Sequence, residues 1–95
     1  MSARPVADIG STPRLPRHVR LHFDRVRGQW ALLSPEKVLW PDEISLAILQ
    51  LCDGVRSVGA IAQTLAKEYE AEPADVADDV MAFVQDWSDR MVLRL

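Results

Sequence analysis

The sequence is short of the residues that most catalytic and metal-binding chains depend on. Across 95 residues it has one cysteine, two histidines and aromatic side chains at only 6%. Cys52 has no partner thiol, so an internal disulfide is excluded and a reducing, cytoplasmic setting is expected. No apolar run approaches the ~20 residues that a membrane-spanning helix needs, so a membrane role is not expected. After Arg4 come Pro5 and Asp8 instead of an apolar stretch, so no secretory signal is read. The chain also has no glycine-rich phosphate loop, no paired CxxC and no Ser/His/Asp arrangement.

The reactive residues that are present do not converge. His18 and His22 alternate onto one face of an expected strand but stand ~13 Å apart, too far for one zinc ion to bridge with bonds near 2 Å. Cys52 sits in the apolar stretch ILQLCDG beside Asp53, and a neighbouring carboxylate disfavours a thiolate nucleophile. Asp78 and Asp79 are adjacent on an expected helix and diverge by roughly 100°, so they form no aligned acid–base pair. The expectation is a non-catalytic domain with no cofactor and no metal site.

Apolar residues make up 48% and charged residues 26%, the balance of a globular domain with one modest core. The net charge of −3 is unevenly spread. Residues 1–40 carry Arg4, Arg14, Arg17, Arg20, Arg25, Arg27 and Lys37 against three acids, whereas the remainder carries four basic residues against eleven acids. The first half can therefore attract an acidic partner.

Residues 1–16 hold Pro5, Pro13 and Pro16 with Gly10, Ser11 and Thr12, and are expected to form a flexible arm or linker before a domain over 17–95. Deleting residues 1–14 is accordingly expected to leave melting almost unchanged. His18 to Phe23 alternates with a period of two, placing Val19, Leu21 and Phe23 on a buried face. Asp24 and Gly28 mark a turn into a second apolar strand at Trp30–Leu33. Glu36–Trp40, between Pro35 and Pro41, reads as a third strand, and flanking prolines suit a sheet edge.

From Asp42 the period becomes helical. Ile44, Leu46, Ala47, Ile48, Leu49 and Leu51 suit a buried helix stopped near Gly54. Ser57 can cap a second helix with Val58, Ile61, Ala62, Leu65 and Tyr69 inward. Pro73 suits the first turn of a third helix carrying Val76, Val80, Phe83, Val84 and Trp87. The fold class is α+β: three short N-terminal strands followed by three helices, the outline of a winged helix-turn-helix. A DNA-binding regulator is thus the rival reading. Its recognition helix, however, would present Asp75, Asp78, Asp79, Asp86 and Asp89 to phosphates, and only Gln85 could read a base edge. No nucleic-acid partner is expected.

The stretch WALLSPEKVLWPDEISLAILQLCDGVRSVGAIAQTL resembles the PqqD family through its LLSPE turn, VL strand, DEI…AIL helix start, CDG stop and R-S-V entry to the second helix. The resemblance runs from about Val19 to the end. Two positions depart from it. Gly59 and Ala60 stand where members usually carry an acid, so the second helix lacks a capping-box carboxylate and is expected to fray. Arg90-Met91 replaces the usual Lys-Gly, which unsettles the stop of the third helix.

The resemblance implies a recognition element for ribosomally synthesised, modified peptides. Such proteins bind the precursor peptide PqqA and present it to PqqE, a radical S-adenosylmethionine enzyme that cross-links a Glu and a Tyr in the peptide. Some members are fused to PqqC, making it a further expected partner. The resemblance also implies strand addition by the peptide at the third strand beside the third helix. An edge strand offers free N–H and C=O groups for such a guest. Lys37, Val38, Leu39 and Trp40 are the expected edge, and Ala77, Met81 and Val84 the facing strip of the third helix. Arg25, Arg27 and Lys37 would attract an acidic peptide. A scaffold that binds only the enzyme is the remaining alternative.

Overall fold

The structure, a computed structural model, describes residues 4–95; positions 1–3 of the expected arm lie outside the described residues. Strands β1 (Arg20–Asp24) and β2 (Gln29–Leu33) pair antiparallel, with Arg20 opposite Leu33 and Asp24 opposite Gln29. Asp24 organises the turn between them. Its Oδ1 accepts from the Val26 and Arg27 amides at 2.9 and 3.0 Å. These bonds, the Arg27 amide foremost, hold the Asp24 carboxyl below the usual aspartate range.

Strand β3 comprises only Val38–Leu39, paired to Leu33 and Leu32. It is shorter than the expected Glu36–Trp40 because the chain must first turn. Ser34 closes that turn on Lys37, whose carbonyl accepts from both the Ser34 amide at 3.0 Å and its hydroxyl at 2.9 Å.

Three helices follow: α1 (Glu43–Leu51), α2 (Val58–Glu68) and α3 (Pro73–Asp89). Asp42 caps α1 by accepting from the Ser45 amide at 2.8 Å, and that bond lowers its carboxyl pKa. After α1, Gly54 takes a φ of 79°, a left-handed conformation that suits glycine where a chain leaves a helix. Leu32, Leu49, Val58, Ile61, Val80 and Val84 form the fully buried centre, with Val19, Leu21 and Leu39 packing from the sheet side. Burying each of these side chains is worth about 1.5–3 kcal/mol.

Further expectations are corrected. Phe23, Ile44 and Tyr69, expected inward, are 42%, 53% and 42% exposed. Phe23 keeps the alternation of β1, but the core cluster ends before reaching the hairpin tip. Residues 4–16, expected as a flexible arm, are engaged with the helices. Proline removes a donor but leaves its carbonyl, and Pro13 uses that carbonyl to accept from Gly54 at 3.0 Å while its ring is buried. Arg14 exchanges two main-chain bonds with Arg94, at 2.8 and 2.9 Å, so the C-terminal tail pairs with the arm.

The start of α2, expected to fray, has its first amides satisfied. The Ser57 hydroxyl accepts from Ala60, while Ser11 and Ile9 carbonyls accept from Val58 and Gly59 at 2.8 and 3.0 Å. The stop of α3 is likewise defined. Met91 occupies the left-handed position with a φ of 63°, and its amide donates to Ser88 while that of Val92 donates to Trp87, both at 2.9 Å. This is the bonding of a Schellman motif, built without glycine.

Candidate functional site

The sheet order β1-β2-β3 places β3 last. One side of Val38–Leu39 is bonded to β2, and among the described residues no strand pairs with the other side. Successive side chains point to opposite faces. Leu39 shares a face with Leu32 and packs against the core, whereas Val38 and Trp40 are 50% and 44% exposed. Lys37 is also exposed. The stretch thus combines a free main-chain edge with large apolar side chains in reach of solvent.

The basic residues are placed unequally. The Arg27 guanidinium lies 5.0 Å from the centroid of the Trp40 ring and 3.4 Å from Asp24 Oδ2, so it bridges the hairpin turn and the residue after β3. Arg25 is exposed and pairs with no carboxylate among the described residues. Sequence reasoning missed the neighbouring Phe23–Trp30 pair. Their rings meet edge-on with centroids 5.4 Å apart at the hairpin end, and Trp30 is 36% exposed. The available signal was one aromatic on each side of the Asp24–Gly28 turn, where antiparallel pairing brings the two rings together.

On α3 the expected strip divides. Val84 has no exposed surface and belongs to the core; Ala77 and Met81 are half-buried. Ala77, Met81 and Gln85 follow at four-residue intervals and so form one column along the helix. The far end of that column is taken: Gln85 Oε1 accepts from the Ala7 amide at 2.7 Å and Nε2 donates to the Pro5 carbonyl at 3.0 Å. The start of α2 reaches the same flank, since Ile9, two residues after Ala7, bonds to Gly59. The other flank carries Val76 and Phe83, both half-buried, with Phe83 stacked on Trp87 at 4.8 Å.

Cys52 is buried, with Sγ 3.2 Å from the Ile48 carbonyl. Burial, aided by the charge of Asp53, pushes its thiol up to about 12, so it is protonated at neutral pH. His22 is exposed on β1, whereas His18, also exposed, lies in the turn before that strand, so the two do not share the strand face expected of them. No helix among the described residues is long and apolar enough to cross a membrane.

Three antiparallel strands in sequential order, then three helices, make a small α+β module in which, among the described residues, the outer side of the third strand has no strand partner. The chain is similar over 95% of its length, at a TM-score of 0.80 and 38% identity, to 96% of the solution structure of the PqqD truncation of Methylobacterium extorquens PqqCD, described as a functional and stand-alone recognition element for ribosomally synthesised, modified peptides. A lasso peptide synthetase B1 solved with its leader peptide shares the fold at a TM-score of 0.72 and 25% identity, covering 90% of this chain and all of that one. The family model for coenzyme PQQ synthesis protein D (PqqD) matches residues 29–93. A "PqqA binding protein" of Rhodopseudomonas palustris (strain HaA2) is 54% identical over 80 residues, 84% of this chain and 78% of that protein. The chain belongs to the PqqD family.

Proposed function

We propose that this chain binds the precursor peptide PqqA by strand addition at the outer edge of β3 and presents it to the radical S-adenosylmethionine enzyme PqqE without itself catalysing a step. The observation that carries the reading is the unpaired side of Val38–Leu39 at the end of the sheet. A guest in extended conformation satisfies those main-chain groups, and its alternate side chains meet Val38 and Trp40 on one face and the α3 side on the other. Similarity to a chain solved with a leader peptide supports the peptide-binding part of the reading.

Lys37, Val38, Leu39 and Trp40 form the rail in this proposal. Arg25 supplies attraction to acidic guest residues, with Arg27 acting through its hold on Trp40. For the opposite wall, Ala77 and Met81 compete with Val76 and Phe83. The second pair is the better wall, because the column of Ala77 and Met81 runs into the bonds between Gln85 and residues 5–7. Val84 supports the wall from within.

A nitrogen–proton NMR titration with PqqA tests the reading. The amides of Val38, Leu39 and Trp40 are expected to shift most. Val38→Asp, at an exposed position, is expected to keep the fold and weaken binding more than tenfold, or ~1.4 kcal/mol. Binding of PqqE with no response to free peptide would instead indicate the scaffold role, and unchanged affinity in a folded Val38→Asp chain would remove β3 from the site.

A further inference from the structure

The stretch from Arg4 to Arg14 touches the domain in a regular way that peptide binding does not require. The carbonyls of Pro5, Ile9, Ser11 and Pro13 and the amide of Ala7 all bond inward, to Gln85, Gly59, Val58 and Gly54. These positions lie within and on both sides of the Asp8–Ser11 turn, and each meets the domain through its main chain. The segment also completes the start of α2, because Ser11 and Ile9 accept from the Val58 and Gly59 amides, which have no partner within the helix.

One residue admits it. A Cβ built on Gly59 would lie 3.2 Å from Ile9 Cγ1, tighter than most such contacts, and 3.5 Å from the Ile9 carbonyl oxygen, an ordinary contact. A long side chain at position 59 would therefore press directly on Ile9, whose carbonyl accepts from the Gly59 amide. The glycine thus exchanges helix propensity for room.

The segment is held in two stages with different strengths. The inner stage, residues 9–14, is fixed by main-chain bonds and the buried ring of Pro13. The outer stage, residues 4–7, has no main-chain to main-chain bond among the described residues: it is held by the Gln85 amide, an ion pair of Arg4 with Asp89 at 3.1 Å, and the half-buried Ala7 at the rim of the core. Arg4 and Asp89 are both well exposed, and such a pair is weak and screened by salt. Between the stages lies a tight turn. Ser11 donates to the Asp8 carbonyl at 3.1 Å and the Gly10 amide donates to Asp8 Oδ1 at 2.8 Å, which gives the outer stage a pivot.

We propose that residues 4–14 are a two-stage strap: an inner stage that completes α2, and an outer clasp at residues 4–7 that Gln85 holds and can release. Gly59 is its gatekeeper. Opening the clasp uncovers only the half-buried Ala7 at the rim of the core, whereas loss of the inner stage takes the acceptors from the Val58 and Gly59 amides. An event at the N-terminal side of the chain is thereby linked to the α2–α3 pair. The strap does not depend on the peptide-binding proposal, and its test uses no peptide.

The test is amide hydrogen exchange by NMR on the full chain and two variants. In the unmodified chain Ala7, Val58 and Gly59 are expected to exchange at least tenfold slower than unstructured amides. Gln85→Leu, on the partly exposed side of α3, is expected to bring Ala7 to the unstructured rate while Val58 and Gly59 stay within threefold of their original rates. Gly59→Leu is expected to speed exchange at Val58 at least tenfold. Leucine is a much better helix former than glycine, so a weakened helix cannot mimic that result. Three outcomes overturn the proposal: an unprotected Ala7 in the unmodified chain, release of all three amides together by Gln85→Leu, or a Val58 rate that Gly59→Leu does not move. Should Gly59→Leu fail to fold, Gln85→Leu decides alone.

Discussion

The chain leaves α3 through Met91, whose φ of 63° lies where an L side chain is strained and glycine is not. Its side chain is 80% exposed and contributes little packing to offset that strain. Met91→Gly removes a cost of about 1–2 kcal/mol, less about 0.5–1 kcal/mol for the extra freedom of glycine in the unfolded chain. A net gain of about 0.5–1 kcal/mol in urea denaturation is expected, and a loss would mean that the left-handed turn does not form. Cys52 offers a test by pH. Its folded thiol is raised from the ordinary 9.0 to about 12, so the neutral form is the one the fold favours. Stability linked to this thiol is therefore intact below pH 9.0 and is lost as pH climbs from there toward 12. In the folded chain at neutral pH a thiol reagent is expected to label Cys52 only at the rate of unfolding; rapid labelling would contradict its burial.

Elements were legible in the sequence where one physical signal dominated. The change from period two to period three and four after Asp42 marks where the sheet ends and α1 begins, and Asp42, Ser57 and Pro73 each stand at a helix start. Periodicity says which face a residue is on, not how far the core extends. Phe23 and Ile44 therefore have the expected phase but lie beyond the packed cluster. The same limit applies on α3, where spacing grouped Ala77, Met81 and Val84 but could not tell that Gln85, next in the column, is bonded to Pro5 and Ala7. Contacts separated by 78 to 80 positions leave no trace in local pattern. They do give a way to distinguish the two walls proposed for the guest. A peptide lying against Val76 and Phe83 leaves the Ala7–Gln85 bond intact, so saturating PqqA is expected to leave exchange at Ala7 unchanged. Loss of protection at Ala7 on adding PqqA would assign the guest to the Ala77–Met81 flank instead.

For the whole molecule, the arm is where reading from composition and reading from structure lead to opposite expectations. Proline and small polar residues suggest a segment that can be deleted without effect. In the structure, removing residues 1–14 takes away the acceptors for Gly54, Val58 and Gly59, both main-chain bonds between Arg14 and Arg94, and the buried ring of Pro13. A typical hydrogen bond contributes a net 0.5–1.5 kcal/mol, so the five bonds together are worth at least ~2.5 kcal/mol. A domain of this size has a total stability of roughly 5–15 kcal/mol, and each kcal/mol moves its midpoint by about 4–8 °C. Deletion of 1–14 is therefore expected to lower the melting temperature by at least ~10 °C, read from the helix signal in far-ultraviolet circular dichroism. The loss should begin in α2, whose first amides lose their partners, while the β1–β2 pairing, which the arm does not bond, persists longest. A truncated chain that melts within ~4 °C of the full chain would return residues 4–14 to the status of a passive linker, and the two-stage strap would fall with it.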